Sequence, residues 1–335
     1  MNSLNNVAAA KRSGSASAKW SGQNVGNVLI RNSMVVVLLF VMIYFATQNE
    51  RFATIDNFRT ILIAAAPFAL VALGQTLVIL TGGIDLSVGS VIAVSAMSAA
   101  WLSKAMPDQI WLALIIAVLV GGLAGLVNGL VIARLNVTPF VATLGMLTVA
   151  SGFAYVIGGG APINGLPEGF GAIANTKILG FQAPVYIMIA GFIVLGLLMK
   201  YSSFGLRVYA VGGNRVAAEV AGVNAKRVLI SVYVISGFLA GASGVILASR
   251  VISGPPNLGA GYELDAIAAV VIGGASLMGG RGTVWGTLLG LLLIQTLNNG
   301  LDIMVVPAYW QMVISGVLIV TAVAVDMWAS RRNSK

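Results

Sequence analysis

The chain contains no cysteine and no histidine, and only 9% of its 335 residues are charged. The first absence removes thiol nucleophiles and disulfides, and the second removes histidine general bases. Together they remove the usual zinc constellations, so no metal site and no cofactor is expected. No G-x-x-x-x-G-K-[ST] phosphate loop occurs either, and nothing in the chain is built to hydrolyse ATP. The expectation is a non-catalytic protein whose work, if it performs any, is powered by a partner or an ion gradient. The shortage of charge also excludes an ordinary soluble domain, in which about a quarter of residues are charged.

Apolar surface and glycine are abundant. The chain is 58% hydrophobic with 41 glycines, and its mean hydropathy is +0.96. This is the composition of an integral membrane protein whose helices pack backbone to backbone. The net charge of +9 is scattered at the ends of apolar spans. It orients the chain in lipid and does not point to nucleic acid.

Residues 1–31 are polar, rich in Ser, Asn and Ala, and carry Lys11, Arg12 and Lys19. They read as a disordered cytosolic tail and not as a cleavable signal peptide. Ten apolar spans follow, near 32–48, 60–80, 86–102, 110–133, 138–157, 184–199, 229–249, 264–278, 283–299 and 308–327. The expected fold is all-α and polytopic, a single transmembrane domain over 32–335, with the shortest spans tilted, broken or buried. With the N-terminus inside, the inner segments hold fourteen of the nineteen basic residues, which supports the even count and a cytosolic placement of both termini.

The largest charged interruption runs from Lys200 to Arg227, with Lys200, Arg207, Arg215, Lys226 and Arg227 set against Glu219 alone. Its centre predicts a short helix. Asn214 suits the N-cap, and Gly222 suits the left-handed residue past the end. Val216 and Val220, with Ala217 and Ala221 beside them, give that helix a small apolar face. Glu219 stands too far along to complete a capping box. About two turns are too few to be stable alone, so the helix is expected to dock against something.

Charged groups at membrane depth are functional candidates by default, which singles out Asp85, Glu263 and Asp265. Asp85 follows two glycines in I-D-L-S-V-G-S and reads first as a helix start, ahead of a substrate ligand or proton carrier. Glu263 and Asp265 read as water-facing caps of the eighth span. Among neutral polar groups, Gln75, Thr76, Asn128, Thr143, Gln295, Asn298 and Asn299 serve either helix-to-helix hydrogen bonds or a path for a hydroxyl-rich solute. Phe68, Phe140 and Phe153 are packing residues or stacking platforms for a sugar face. A faint internal echo pairs G-G-I-D-L-S-V-G at 82–89 with G-G-A-S-L-M-G-G at 273–280, both at span breaks.

Three runs together resemble the permease subunit of ribose-type bacterial ABC importers. They are G-Q-T-L-V-I-L-T-G-G-I-D-L-S-V-G-S (Gly74 to Ser90), A-V-G-G-N-R-V-A-A-E-V-A-G-V (Ala210 to Val223), and the segment from Gly259 to Thr283. The resemblance covers the chain from about residue 32 onward. It implies a permease pair in the bacterial inner membrane, two cytosolic ATP-binding cassette subunits, a periplasmic sugar-binding protein and surrounding lipid. It also makes the 200–228 loop the ATPase-coupling element. Gly212, Gly213, Asn214, Ala217, Ala218, Glu219 and Gly222 carry over as coupling residues; Val216 and Val220 join them on the strength of their apolar face, and Arg215 is assigned no role. The path candidates are Phe68, Gln75, Asp85, Asn128, Phe140 and Asn298, and the binding protein is expected to dock on 158–183 and 251–262. The expected cargo is a neutral monosaccharide such as ribose, moved by alternating access. The rival is a proton- or sodium-coupled sugar transporter, which would need Asp85 as its carrier; a membrane enzyme and a channel stand further off.

Overall fold

The computed structural model describes residues 33–333, so the tail expected at 1–31 lies outside the described residues. The chain opens with α1 (Ser33–Gln48) and α2 (Ile55–Leu80), followed by α3 (Val88–Ala105), α4 (Ile110–Arg134) and α5 (Pro139–Gly158). A short helix α6 (Ala172–Asn175) and a hairpin of β1 (Lys177–Ile178) with β2 (Phe181–Gln182) precede α7 (Ala183–Tyr201). Two short helices, α8 (Ser203–Gly213) and α9 (Arg215–Val220), lead into α10 (Ala225–Val251). Then come α11 (Tyr262–Ile272), α12 (Val284–Ile303) and α13 (Ala308–Asn333).

Each of the ten expected spans has its helix, and the all-α polytopic reading stands. Among the described residues α2, α3, α4 with its leading turn, α5, α7 and α10 are long and apolar enough to cross a membrane. Shorter apolar stretches occupy Met34–Gln48 in α1 and Ala308–Thr321 in α13. The eighth span is shorter than expected. α11 has 11 residues and stops at Ile272, not near 278. The cause is Gly274, left-handed at φ 89°, which lets its own N–H reach Val271 O and the next N–H reach Val270 O. At about 1.5 Å per residue this helix covers roughly half of a hydrocarbon core about 30 Å thick.

Local signals explain the other boundaries. Thr54 caps α2 by accepting from Asn57 N at 3.2 Å, and Gly82 at φ 79° ends it while Gly83 N donates to Val78 O. α5 starts with Pro139 at its first position and ends at Gly159 in the left-handed region. Asn224 caps α10 by accepting from Arg227 N at 3.0 Å.

α2, α3 and α10 form the buried centre, with every residue from Ala65 to Leu80 buried. α4 lies against α10 through Gly121, Gly125 and Gly129. A Cβ on Gly121 would come 2.5 Å from Gly237 O, and one on Gly125 would run into Tyr233 O. Only glycine permits that approach, and it gives two apolar helices a contact that lipid cannot imitate. α5, by contrast, turns most of its surface outward, with Phe140, Val141, Leu144, Val149, Phe153 and Val156 exposed.

Candidate coupling and translocation site

The charged interruption at 200–228 folds as two helices where one was expected. Ser202 caps the first, α8, accepting from Gly205 N at 3.2 Å, and Val208 and Val211 bury one side of it. The second, α9, has the caps read from the sequence. Asn214 Oδ1 accepts from Ala217 N at 3.0 Å, and Gly222 adopts φ 85°. Val223 N closes the end on Ala218 O at 2.9 Å. Glu219 makes no box; its Oε1 accepts from Arg215 Nε at 3.1 Å one turn away.

The nine coupling candidates do not share one surface. Gly213, Asn214, Val216, Ala217, Glu219, Val220 and Gly222 are exposed, Val216 at 71% and Val220 at 85%. Ala218 faces inward at 5% exposure. Gly212 is wedged against the bundle, where a Cβ would run into Leu80 O and come 2.7 Å from Gly280 N.

One turn deeper, three of the path candidates gather around the unwound segment between α2 and α3. Asp85 is 2% exposed. Its Oδ1 accepts from Ser87 N at 3.0 Å and from Ser87 Oγ at 2.6 Å, and its Oδ2 accepts from Ser236 Oγ at 3.2 Å. Asn128 Nδ2 donates to Ser87 Oγ at 2.9 Å. With its amide turned as its neighbours require, Gln75 donates to Asp85 O at 3.2 Å and accepts from Asp85 N at 3.3 Å. Thr143 of α5 lies 3.3 Å from Ile84 O. Four helices thus hold one non-helical stretch. Asp85 is a helix-start residue as read, but it closes a turn onto Ser87 and does not cap α3 directly; Ser87 occupies the cap position.

The remaining candidates lie elsewhere. Phe68 is buried and meets Tyr262 edge-on, with ring centroids 5.6 Å apart. Asn298 and Asp265 border a narrow cleft between α11, α12 and α13. Phe140 is 55% exposed on the outside of α5 and does not join the buried group. Glu263 and Asp265, expected to face water, are half-buried. Sequence reasoning missed Ser87 and Ser236. The D-x-S spacing was a usable signal for Ser87, whereas Ser236, 151 residues from Asp85, gave none.

At the opposite end of the bundle the 158–183 and 251–262 segments join. Ile163 and Gly254 exchange backbone hydrogen bonds at 3.0 and 2.9 Å. Lys104 Nζ donates to Asn164 O at 3.1 Å, and Ser253 Oγ donates to Asn164 Oδ1 at 2.7 Å.

Comparison with known proteins places this architecture. Residues 57–323 match the family described as branched-chain amino acid transport system / permease component. The chain is 38% identical over 318 residues to the ribose import permease protein of Haemophilus influenzae, covering 93% of this chain and 98% of that one. It is 42% identical over 291 residues to the ribose import permease protein of Bacillus subtilis, covering 86% and 90%. To the galactose/methyl galactoside import permease protein of Haemophilus influenzae it is 37% identical over 319 residues, covering 90% and 95%. No solved structure matches the chain at a significant level. A family model spanning most of the chain, relatives aligned nearly end to end and a bundle of membrane-length helices agree: the chain belongs to this family of transport permeases and is a non-catalytic, membrane-embedded permease subunit.

Proposed function

We propose that this permease carries a neutral monosaccharide, ribose or a close analogue, across a bacterial inner membrane by alternating access driven by a separate ATP-binding cassette subunit. The observation that carries the reading is α9. It is six residues long, capped at both ends, and presents Val216 and Val220 to the outside in a chain with no nucleotide-binding loop. A helix this short persists only when its ends are fixed, and an exposed apolar face on it suits a partner groove. The relatives' printed substrates, ribose and galactose, support the sugar class.

The rest of the assembly follows from the same reading. A second permease copy and lipid cover the apolar outer faces, and both termini lie with α9 on the cytosolic side. A periplasmic sugar-binding protein docks on 158–183 and 251–262, whose mutual backbone pairing favours a joint platform. The exposed residues of α9 meet the ATPase, while Ala218 and Gly212 hold the helix pair to the bundle. Gln75, Asp85 and Asn128 hold the broken segment in place. Asn298, on the cleft between α11, α12 and α13, remains the better placed path residue, and Phe68 packs in the core. The ion-coupled rival loses ground because both carboxylate oxygens of Asp85 are engaged by serines.

Replacing Val216 and Val220 together by Asp puts two charges on the docking face without touching the buried side of α9. The expected result is normal membrane insertion, loss of the co-purifying ATPase subunit and no ATP-dependent uptake. Unchanged co-purification of the ATPase would refute the docking role.

A further inference from the structure

Three segments far apart in sequence meet at the inner end of the bundle. Gly280 N, in the break after α11, donates to Leu80 O at the end of α2 at 3.0 Å. Gly212, at the end of α8, packs onto that same hydrogen bond. A Cβ on Gly279 would lie 2.8 Å from both Gly212 O and Gly82 N. Tyr209, one turn back on α8, donates its hydroxyl to Gly282 O at 2.9 Å. The two glycine runs of the internal echo therefore touch each other, and the helix pair ending in α9 rests on the point of contact.

We infer that this junction is the relay of the transporter, with Tyr209 and Gly212 as positioning residues that couple α8–α9 to both helix breaks at once; the inference rests on the reading of α9 as the ATPase contact. The contacts among Gly212, Leu80 and Gly280 are backbone to backbone, with no flexible side chain to absorb a displacement, so a shift of α8 moves Leu80 and Gly280 together. From Leu80 the connection continues into the 82–87 segment, which Asp85, Ser87 and Gln75 fasten to α2, α4 and α10. From Gly280 and Gly282 it continues into α12, which starts at Val284. Space for the movement exists on both flanks of α8. One cavity, about 380 Å³, is bordered by Ser202, Leu206, Tyr209 and Thr283, and another, about 290 Å³, by Gly82, Val211, Arg215 and Leu229. A close-packed interior would resist such a slide, and these flanks do not.

The chain's lack of cysteine makes the test direct. Cysteines introduced at the exposed Leu135 and Met278 take spin labels at the end of α4 and at the second break, and the distance between them is measured in lipid vesicles with the ATPase subunit, with and without ATP. The parent is expected to change distance on ATP binding. Tyr209→Phe, which removes one hydroxyl and little else, is expected to keep the ATPase subunit bound while the ratio of shifted to unshifted population falls about fivefold, the factor set by one neutral hydrogen bond. Gly212→Ala is expected to abolish the shift. An unaltered shift in Tyr209→Phe overturns the relay, as does a parent whose distance ignores ATP. Loss of the ATPase subunit from Tyr209→Phe overturns it too, because Tyr209 would then only support the docking face. If Gly212→Ala fails to insert, Tyr209→Phe alone decides. Retention of the ATPase by the Val216/Val220 double variant refutes the docking reading separately.

Discussion

Asp85 offers the sharpest test of what a buried carboxylate does in this protein. Its two oxygens accept three hydrogen bonds, from Ser87 N, Ser87 Oγ and Ser236 Oγ. Asp85→Asn keeps an oxygen for both Ser87 donors, and its new amide can donate to the Ser236 hydroxyl, which accepts as readily as it donates. All three partners stay paired, so the expected loss of stability is about 1 kcal/mol or less. Asp85→Leu leaves three buried donors without an acceptor. At about 1–3 kcal/mol for each orphaned group, the sum is roughly 3–6 kcal/mol even allowing for partial rearrangement. Against a typical total of about 5–15 kcal/mol, that is enough to unfold the 82–87 segment or the whole chain. The assays are thermal unfolding in detergent and ATP-dependent D-ribose uptake in vesicles. Asn is expected to retain most of both, and Leu to lose both. An Asn variant with a normal unfolding midpoint and no uptake would refute the anchoring role, because the carboxylate would then serve transport itself and not the fold.

Two further outcomes follow from close contacts and from titration. Gly125→Ala, whose new methyl meets Tyr233 O, is expected to pry α4 from α10 and destabilise the fold by about 1–3 kcal/mol of overpacking strain, read as a lower unfolding midpoint, whereas Gly145→Ala on the open face of α5 is expected to be neutral or slightly stabilising; equal effects at the two sites would contradict the packing account. Burial raises the Tyr209 phenol above its usual value of 10.0. A raised folded-state value means its contribution is complete below about 10 and is lost as pH climbs through the folded value. The spin-label shift is therefore expected to be flat from about pH 6 to 9, and a Tyr209-dependent transition inside that window would contradict the assignment.

The helix count was legible because a bilayer imposes length and polarity on each span separately, and both are local properties. The caps of α9 were legible for the same reason: Asn214 and Gly222 act within four residues of themselves. The polar network was legible only in its members. Gln75, Asp85 and Asn128 stood out as polar groups in apolar runs, but their convergence depends on α4 and α10 lying in contact, which no local pattern encodes. α8 was missed because Arg207 and the basic residues flanking the segment masked an amphipathic helix whose buried side is just Gly205, Val208 and Val211. α11 was overlong because the first of its two glycines stays right-handed and only the second, Gly274, ends it.

The internal echo gained physical content from its placement. Two glycine-rich breaks sharing a pattern need not touch, yet Gly82 and Gly279 lie against each other, with Gly212 against Leu80 and Gly280. What fastens α8–α9 to this point matters more than the charges the loop displays. The Arg215–Glu219 pair is about half exposed on both sides, at 42% and 47%, and such pairs contribute about 0–1 kcal/mol, screened further by salt. The Gly280–Leu80 bond with Gly212 seated on it admits no added atom and no side-chain rearrangement. On the proposed reading, a force entering at Val216 and Val220 passes through the Ala218 anchor and the glycine contact to the breaks, and the flexible ion pair carries little of it. On the same reading the loop's basic residues set its orientation, while Ala218, Tyr209 and Gly212 connect it to the bundle.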